Sequence, residues 1–346
     1  MKIGTIDLDD RLKRVMIVAE IGNNHEGSVA LAQELIGLAA EAGADAVKFQ
    51  TFRTEQYVSP RDRRRFEQLR SFELSIGDMQ RLGETARQAG MVFLSTPLDL
   101  DSARALEPLV EAYKIASGDN TFYPLLETVA ATGKPIILST GLADLSDINQ
   151  AKRTIERVWR GRGEHGDLAL MHCVSSYPVP IEQANLAAIE TLKAAFGCTV
   201  GYSDHTLGIE AATLAVAAGA RIVEKHFTID RAYSDFRDHH LSADPEQMAR
   251  LVCEIRQVER ILGSGDPSLQ PCERPLVVPV RRSLAAACDL AAGTVLGPDA
   301  ITWLRPGDGA FAPGQEQRVI GRTLAAPLAA GEPITHEVLM QETAAV

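Results

Sequence analysis

Cysteine is scarce in this chain. There are five (Cys173, Cys198, Cys253, Cys272 and Cys288), odd in number and scattered, with no Cys-x-x-Cys pair. That pattern argues against zinc ribbons and thioredoxin chemistry. A reducing cytosol suits it best, so a cytoplasmic location is expected. Positive charge is also short: 35 Lys and Arg stand against 46 Asp and Glu, a net charge of −11. Broad binding of nucleic-acid phosphates or of an anionic membrane surface is therefore not expected. A small anionic substrate remains open, because a few local cations suffice. No apolar run approaches the ~20 residues of a membrane span. Met1 to Asp10 carries acids and no apolar core, unlike a signal peptide.

What is present is ordinary globular material, 45% hydrophobic and 23% charged over 346 residues. A chain of this size can bury roughly three-quarters of its unfolded surface and needs no disulfide staples. Short apolar runs ending in polar residues recur along it: Met16 to Glu20, Ala46 to Gln50, Met91 to Thr96, Tyr113 to Ser117, Pro135 to Thr140, Leu168 to Cys173, Thr199 to Asp204 and Ile222 to His226. Amphipathic helical stretches such as Ala30 to Ala42 and Asp78 to Ala89 separate them. Gly43, Gly90, Gly133, Gly197 and Gly219 stand where helices should end. Continuous apolar runs suit buried parallel strands. Eight strand-plus-helix units over residues 1–262 predict an α/β fold, a (β/α)8 TIM barrel, with a doubly wound sheet as the alternative. Gly and Pro breakers predict a linker over 263–280. A small domain over 281–346 follows. It holds an internal echo, Leu290-Ala-Ala-Gly-Thr-Val-Leu296 against Leu328-Ala-Ala-Gly-Glu-Pro-Ile334, which predicts a pseudo-twofold module of short strands. Each half should be followed by a short helix-like piece, Pro298 to Ile301 and His336 to Leu339. Its core is marginal alone, so docking onto the barrel or a partner chain is expected.

His205 and His226 carry the strongest chemical signal. An apolar helix (about Ile209 to Ala218) and a strand (Arg221 to Phe227) lie between them, the length of one unit. Each histidine should therefore end its own strand on the same rim, where two imidazoles can share one metal ion and leave positions open for water and substrate. Glu224 falls on the face of His226, and Asp204 is placed to orient a ligand. Ser203-Asp204-His205 is no hydrolase triad, because neighbours on an extended segment point to opposite faces. The other strand ends offer Glu20, Lys48, Thr96, Lys114, Ser117, Asp119, Ser139, Ser175, Tyr177 and Ser203. Helix capping would account for Ser139 or Thr96 singly. Lys48 and Lys114 sit inside apolar runs and need partners. Either a strand acid such as Glu20 pairs with them, or they face the mouth and hold an anion. Lysines mixed with hydroxyls suit a small phosphorylated substrate. Asp235 to Asp238, with His239 and His240, reads as a polar loop finishing the site, and Asp238 is its first candidate.

Several segments in order carry a resemblance: Ala19-Glu-Ile-Gly-Asn-Asn-His-Glu-Gly27, Ala46-Val-Lys-Phe-Gln50, Tyr113-Lys-Ile-Ala-Ser-Gly118, Leu138-Ser-Thr-Gly141, His172-Cys173, Tyr177-Pro178, Ser203-Asp-His-Thr206, Glu224-Lys-His-Phe-Thr228 and Arg305-Pro-Gly-Asp-Gly309. The chain resembles the sialic acid synthase family over nearly its whole length, including the antifreeze-like SAF domain of those enzymes. The resemblance implies metal-dependent condensation of phosphoenolpyruvate with an open-chain N-acylated amino hexose, giving a nine-carbon 2-keto sugar acid for surface polysaccharide. It implies that His205 and His226 hold Mn²⁺, with Mg²⁺ or Co²⁺ as substitutes. Lys48, Lys114, Ser117, Ser139, Ser175, Tyr177 and Ser203 would bind phosphoenolpyruvate. Glu20, as a negative charge or a proton carrier, would act near the reacting carbons. Asp119 and Asp238 would contact the sugar, and Arg305 would reach it from the partner of a domain-swapped homodimer. Three departures bear on which sugar is used: Ser175 stands for a usual Asn, Asp119 for a usual Glu, and Gly-Pro is missing before Asp238. Two other readings compete: a Schiff-base aldolase using Lys114 or Lys225, and a non-catalytic sugar-binding barrel.

Overall fold

A computed structural model describes residues 1–8 and 14–341. Asp9 and Asp10 of the acidic N-terminal run, and 342–346 at the end of the expected small domain, lie outside the described residues. The chain divides into two compact units, Met1–Gly265 and Asp266–Val346.

The first unit is a closed parallel barrel. Its strands are β1 (Met16–Gly22), β2 (Ala46–Thr51), β3 (Val92–Pro97), β4 (Tyr113–Ile115), β5 (Ile136–Ser139), β6 (Leu168–Cys173), β7 (Thr199–Asp204) and β8 (Ile222–His226). β8 pairs with β1, so the sheet has no edge and is not doubly wound. The eight apolar runs of the sequence are these eight strands. The helix between β7 and β8 spans Glu210–Ala217, with Ile209 as its cap, and β8 starts one residue later than expected. Helix starts are written locally: Ser28 caps Val29–Glu41, and Ser75 with Asp78 forms a capping box on Ile76–Gln88. The five helix-closing glycines all take positive φ.

Side chains alternate across each strand. Inward residues form a packed lower core from Met16, Val18, Ala46, Leu94, Ile137, Met171 and Ile222. A short hairpin, Lys2–Ile3 with Ile6–Asp7, brings Ile3 into this core. Outward residues such as Ile17, Val47, Phe93, Leu138, Leu170 and Val223 pack against the helices. Near the C-terminal ends the inward set turns polar, which makes the site. No helix among the described residues is long and apolar enough to cross a membrane.

In the second unit β9 (Ser283–Ala286) pairs antiparallel with β10 (Ile301–Leu304). The two echo segments pair with each other at their first residues: Leu290 N–H donates to the Leu328 carbonyl at 2.8 Å and the reverse bond is 2.9 Å. Their equivalent last residues, Leu296 and Ile334, are both buried in this unit's core. Pro298–Ala300 is a 3-10 turn, whereas 336–339 is an irregular turn rather than a helical piece. Between the barrel and β9, Pro271–Leu276 forms a 3-10 helix and Val277–Val280 one α-turn.

Candidate active site

The register across barrel closure builds the site. His226 pairs with Glu20, and Glu20 pairs with Lys48, so residues from β8, β1 and β2 stand side by side on the rim. All three are buried. Lys48 Nζ lies 2.8 Å from Glu20 Oε2 and donates to Thr96 Oγ1 at 3.1 Å. Lys114 Nζ donates to Ser139 Oγ at 2.7 Å. Glu224 Oε1 is 3.6 Å from both ammonium groups and accepts from Ser203 Oγ at 3.1 Å. Thr96 and Ser139 therefore serve the lysines. The neighbouring helix caps are Asp99 and Asp144. Lys48 is paired with Glu20 and also lines the mouth.

The two carboxyls are shifted in opposite directions. Burial drives both upward. In Glu224 the Lys114 and Lys48 charges outweigh it and hold the group below the usual range. Glu20 stays above the usual range, because burial and the Glu224 charge exceed the pull of Lys48. Lys48 is held above its ordinary value, since Glu20 and Glu224 overcome its burial. Lys114 falls below, burial being the larger influence. Two carboxyls pushed apart in this way suit an acid/base role and a fixed-charge role.

His226 ends β8 and His205 follows β7 directly; their ring centroids are 5.4 Å apart. His205 Nδ1 lies 2.9 Å from the Val174 carbonyl, which can only accept, so Nδ1 carries a hydrogen. Burial lowers His205, but the neighbouring Cys173, 3.8 Å from Nδ1, more than reverses it. His226 is held well below the usual histidine value, first by burial and then by the His205 and Lys48 charges, and its buried Nδ1 has no hydrogen-bond partner. A neutral imidazole with an unpartnered nitrogen is the donor a divalent ion needs. The pair fits such an ion. Among the described residues no group of three or more His, Cys, Asp or Glu is placed to hold one.

These groups line a cavity of about 1180 Å³ together with Ser117, Asp119, Ser175, Tyr177 and Asp238. Ser175 Oγ is buried without a protein partner. A Cβ on Gly141 would lie 2.5 Å from Ser175 Oγ and 2.6 Å from Ser117 Oγ, so only glycine lets these hydroxyls converge. The Tyr177 ring sits 4.1 Å from that of His205. Burial pushes Asp119 up to about 6. The expected loop at 235–240 is in part a short helix, Arg237–Leu241, with Asp238 and His239 buried. His239 Nε2 lies 3.1 Å from Glu26 Oε1, and Glu26 also takes the Ser234 hydroxyl, which ties this segment to the turn after β1. Arg305 stands in the second unit, exposed just beyond β10.

Lys225 does not belong to this set. It points outward, fully buried, onto Asp204. A Schiff base there is ruled out by strand alternation, which puts Glu224 and His226 inside and Lys225 outside. Lining residues outside the candidate set include Glu224, Gln50 and Arg237. Glu224 was legible two places before His226. Gln50, two places after Lys48, donates to Glu20 Oε1 at 3.3 Å. Arg237 stacks over Tyr177 at 4.4 Å, a contact no local pattern signals.

A closed barrel with charged groups gathered at the carboxyl ends of its strands defines an enzyme-type (β/α)8 protein. Comparisons with known proteins make this specific. The NeuB family model matches residues 35–267 and the SAF domain model residues 281–339. The chain belongs to the NeuB family and carries a SAF domain. It is 40% identical to the N,N'-diacetyllegionaminic acid synthase of Legionella pneumophila, over 93% of each chain. An uncharacterized protein of Methanocaldococcus jannaschii is 47% identical over 85% of each. The crystal structure of an N-acetylneuraminic acid synthetase from Leptospira borgpetersenii, in complex with citrate, superposes with a TM-score of 0.74 at 36% identity, covering 80% of this chain and 94% of that one.

Proposed function

We propose that the protein condenses phosphoenolpyruvate with the open-chain form of an N-acylated amino hexose, releasing phosphate and a nine-carbon 2-keto sugar acid. The observation that carries this reading is the polar upper layer of the barrel: two lysines, two unlike carboxyls and two imidazoles at one mouth. Lys48 and Lys114, with Ser117, Ser139, Ser175, Tyr177 and Ser203, form a cationic, hydroxyl-rich pocket suited to a phosphate and a carboxylate. A carbon–carbon bond forms between the enol methylene and the sugar aldehyde carbon. Water then adds to the adjacent carbon, and the tetrahedral intermediate loses phosphate by C–O cleavage. His205 and His226 would hold a divalent ion, Mn²⁺ by resemblance, that supplies Lewis acidity to the aldehyde. Glu224, held ionised between two lysines, is the standing negative charge near the developing cation. Of the two roles the sequence reading gave Glu20, negative charge or proton carrier, its raised carboxyl suits the second. Asp119, Asp238 and, from a partner's SAF domain, Arg305 would contact the sugar. The proposed setting is polysaccharide biosynthesis in the cytoplasm by a homodimer.

The test is phosphate release from phosphoenolpyruvate across a panel of N-acylated hexosamines, with Mn²⁺ and with EDTA. Turnover with one sugar that EDTA abolishes and Mn²⁺ restores supports the reading. Lys114, buried and shifted downward, is the group that favours the Schiff-base alternative. Metal-independent turnover with borohydride trapping of substrate on the protein would establish that alternative. No turnover with any sugar would favour a binding barrel.

A further inference from the structure

Asp204 and Lys225 each precede one of the two rim histidines in the chain. They pair in register across β7 and β8, on the helix side of the barrel. Both are fully buried, with side chains 0% and 1% exposed, and Lys225 Nζ donates to Asp204 Oδ2 at 2.9 Å. The same ammonium donates to the Thr206 carbonyl at 2.5 Å. Asp204 Oδ1 accepts from Thr206 N–H at 2.9 Å, Thr206 Oγ1 at 2.8 Å and the Tyr202 hydroxyl at 3.2 Å. The residues on both sides of His205 are thus held by one ammonium, and that ammonium belongs to the residue next to His226.

We infer that the Asp204–Lys225 pair is a clamp that sets the separation of the two imidazoles and so the affinity of the ion they hold. This rests on the reading of His205 and His226 as the ion's ligands. A buried ion pair is weak support for stability, since apolar side chains of equal volume often serve as well. What it adds is direction: the carboxylate receives four donors and the ammonium grips both flanks of one ligand. The ligating rings face the cavity while the clamp faces the helices, so Asp204 and Lys225 are positioning residues that touch no substrate. Outer partners of metal ligands typically change affinity ten- to a hundredfold.

The experiment titrates Mn²⁺ into the full chain and follows free Mn²⁺ by electron paramagnetic resonance. The double variant Asp204→Asn/Lys225→Met keeps the volume and the Oδ1 acceptor while removing the charge pair. It should bind Mn²⁺ at least tenfold more weakly, with its metal-free affinity for phosphoenolpyruvate within twofold of the parent. Parent-like Mn²⁺ affinity, or an equal loss of both affinities, overturns the clamp. If the double variant does not fold, Thr206→Val decides. It removes one bond to Asp204 and should weaken Mn²⁺ about threefold, so unchanged affinity overturns the inference. Parent protein that binds no Mn²⁺, or binding that survives His205→Ala/His226→Ala, removes the metal reading and the clamp with it.

Discussion

Glu20 and Glu224 face the same two lysines and shift in opposite directions, because Glu224 lies between both ammoniums while Glu20 meets one directly. Glu20 is accordingly the proposed proton carrier. Glu20→Gln should lower kcat for phosphate release about a hundredfold or more and leave KM for phosphoenolpyruvate nearly unchanged; a steady-state comparison checks both. His205→Ala and His226→Ala should each abolish turnover without unfolding the chain, since truncating a group on the cavity wall leaves no closed void in the core; circular dichroism and the thermal midpoint check the second half. His25, in the turn after β1, contributes to acid sensitivity. Burial holds it down at about 4, its Nδ1 accepting from Gly27 N–H at 3.0 Å. A depressed histidine contributes stability above its unfolded value near 6.5, and that contribution is lost as pH falls toward 4. The loss is about 3 kcal/mol for the ~2.5-unit shift. Unfolding free energies from urea denaturation should fall between pH 7 and pH 4 by about that much more in the parent than in His25→Asn.

At the scale of strands, two glycines show what close approach requires. Gly22 takes a φ of +54° where the β1–β2 register shifts, and a Cβ there would lie 3.1 Å from Glu20 Oε1. Gly201 in β7 has no room: a Cβ would lie 2.4 Å from Met171 Sδ and 2.6 Å from the Ile222 carbonyl. Gly201→Ala should therefore cost about 2–3 kcal/mol through overpacking, read as a lower urea midpoint. The strands themselves were legible because each is an apolar run cut off by polar residues and followed by a helical stretch. The segment 235–240 was not: its polarity signals a loop, yet Asp238 and His239 are buried because Glu26, far away in sequence, receives His239 and Ser234. Local pattern carries no trace of such a partner.

The whole molecule is two compact units, and the second has its own apolar core around Leu284, Leu296, Phe311, Leu324 and Ile334. If its Arg305 reaches the sugar of a partner's barrel, Arg305→Ala should raise KM for the sugar about tenfold, as for a lost charged hydrogen bond, and leave KM for phosphoenolpyruvate within about twofold; sedimentation should give a dimer. Equal changes in both constants would remove the swapped-tail role. The amino-acid sequence by itself determined the number of β/α units, the caps that start some of the helices, the alternation that puts Glu224 and His226 on one face, and the echo in the tail. Each is a local property, settled by neighbours within a few residues. Only the tertiary structure decided which side chains meet. Closing β8 onto β1 places His226 beside Glu20 and lets one carboxylate sit between lysines from β2 and β4, because register around a closed sheet depends on every strand in it at once.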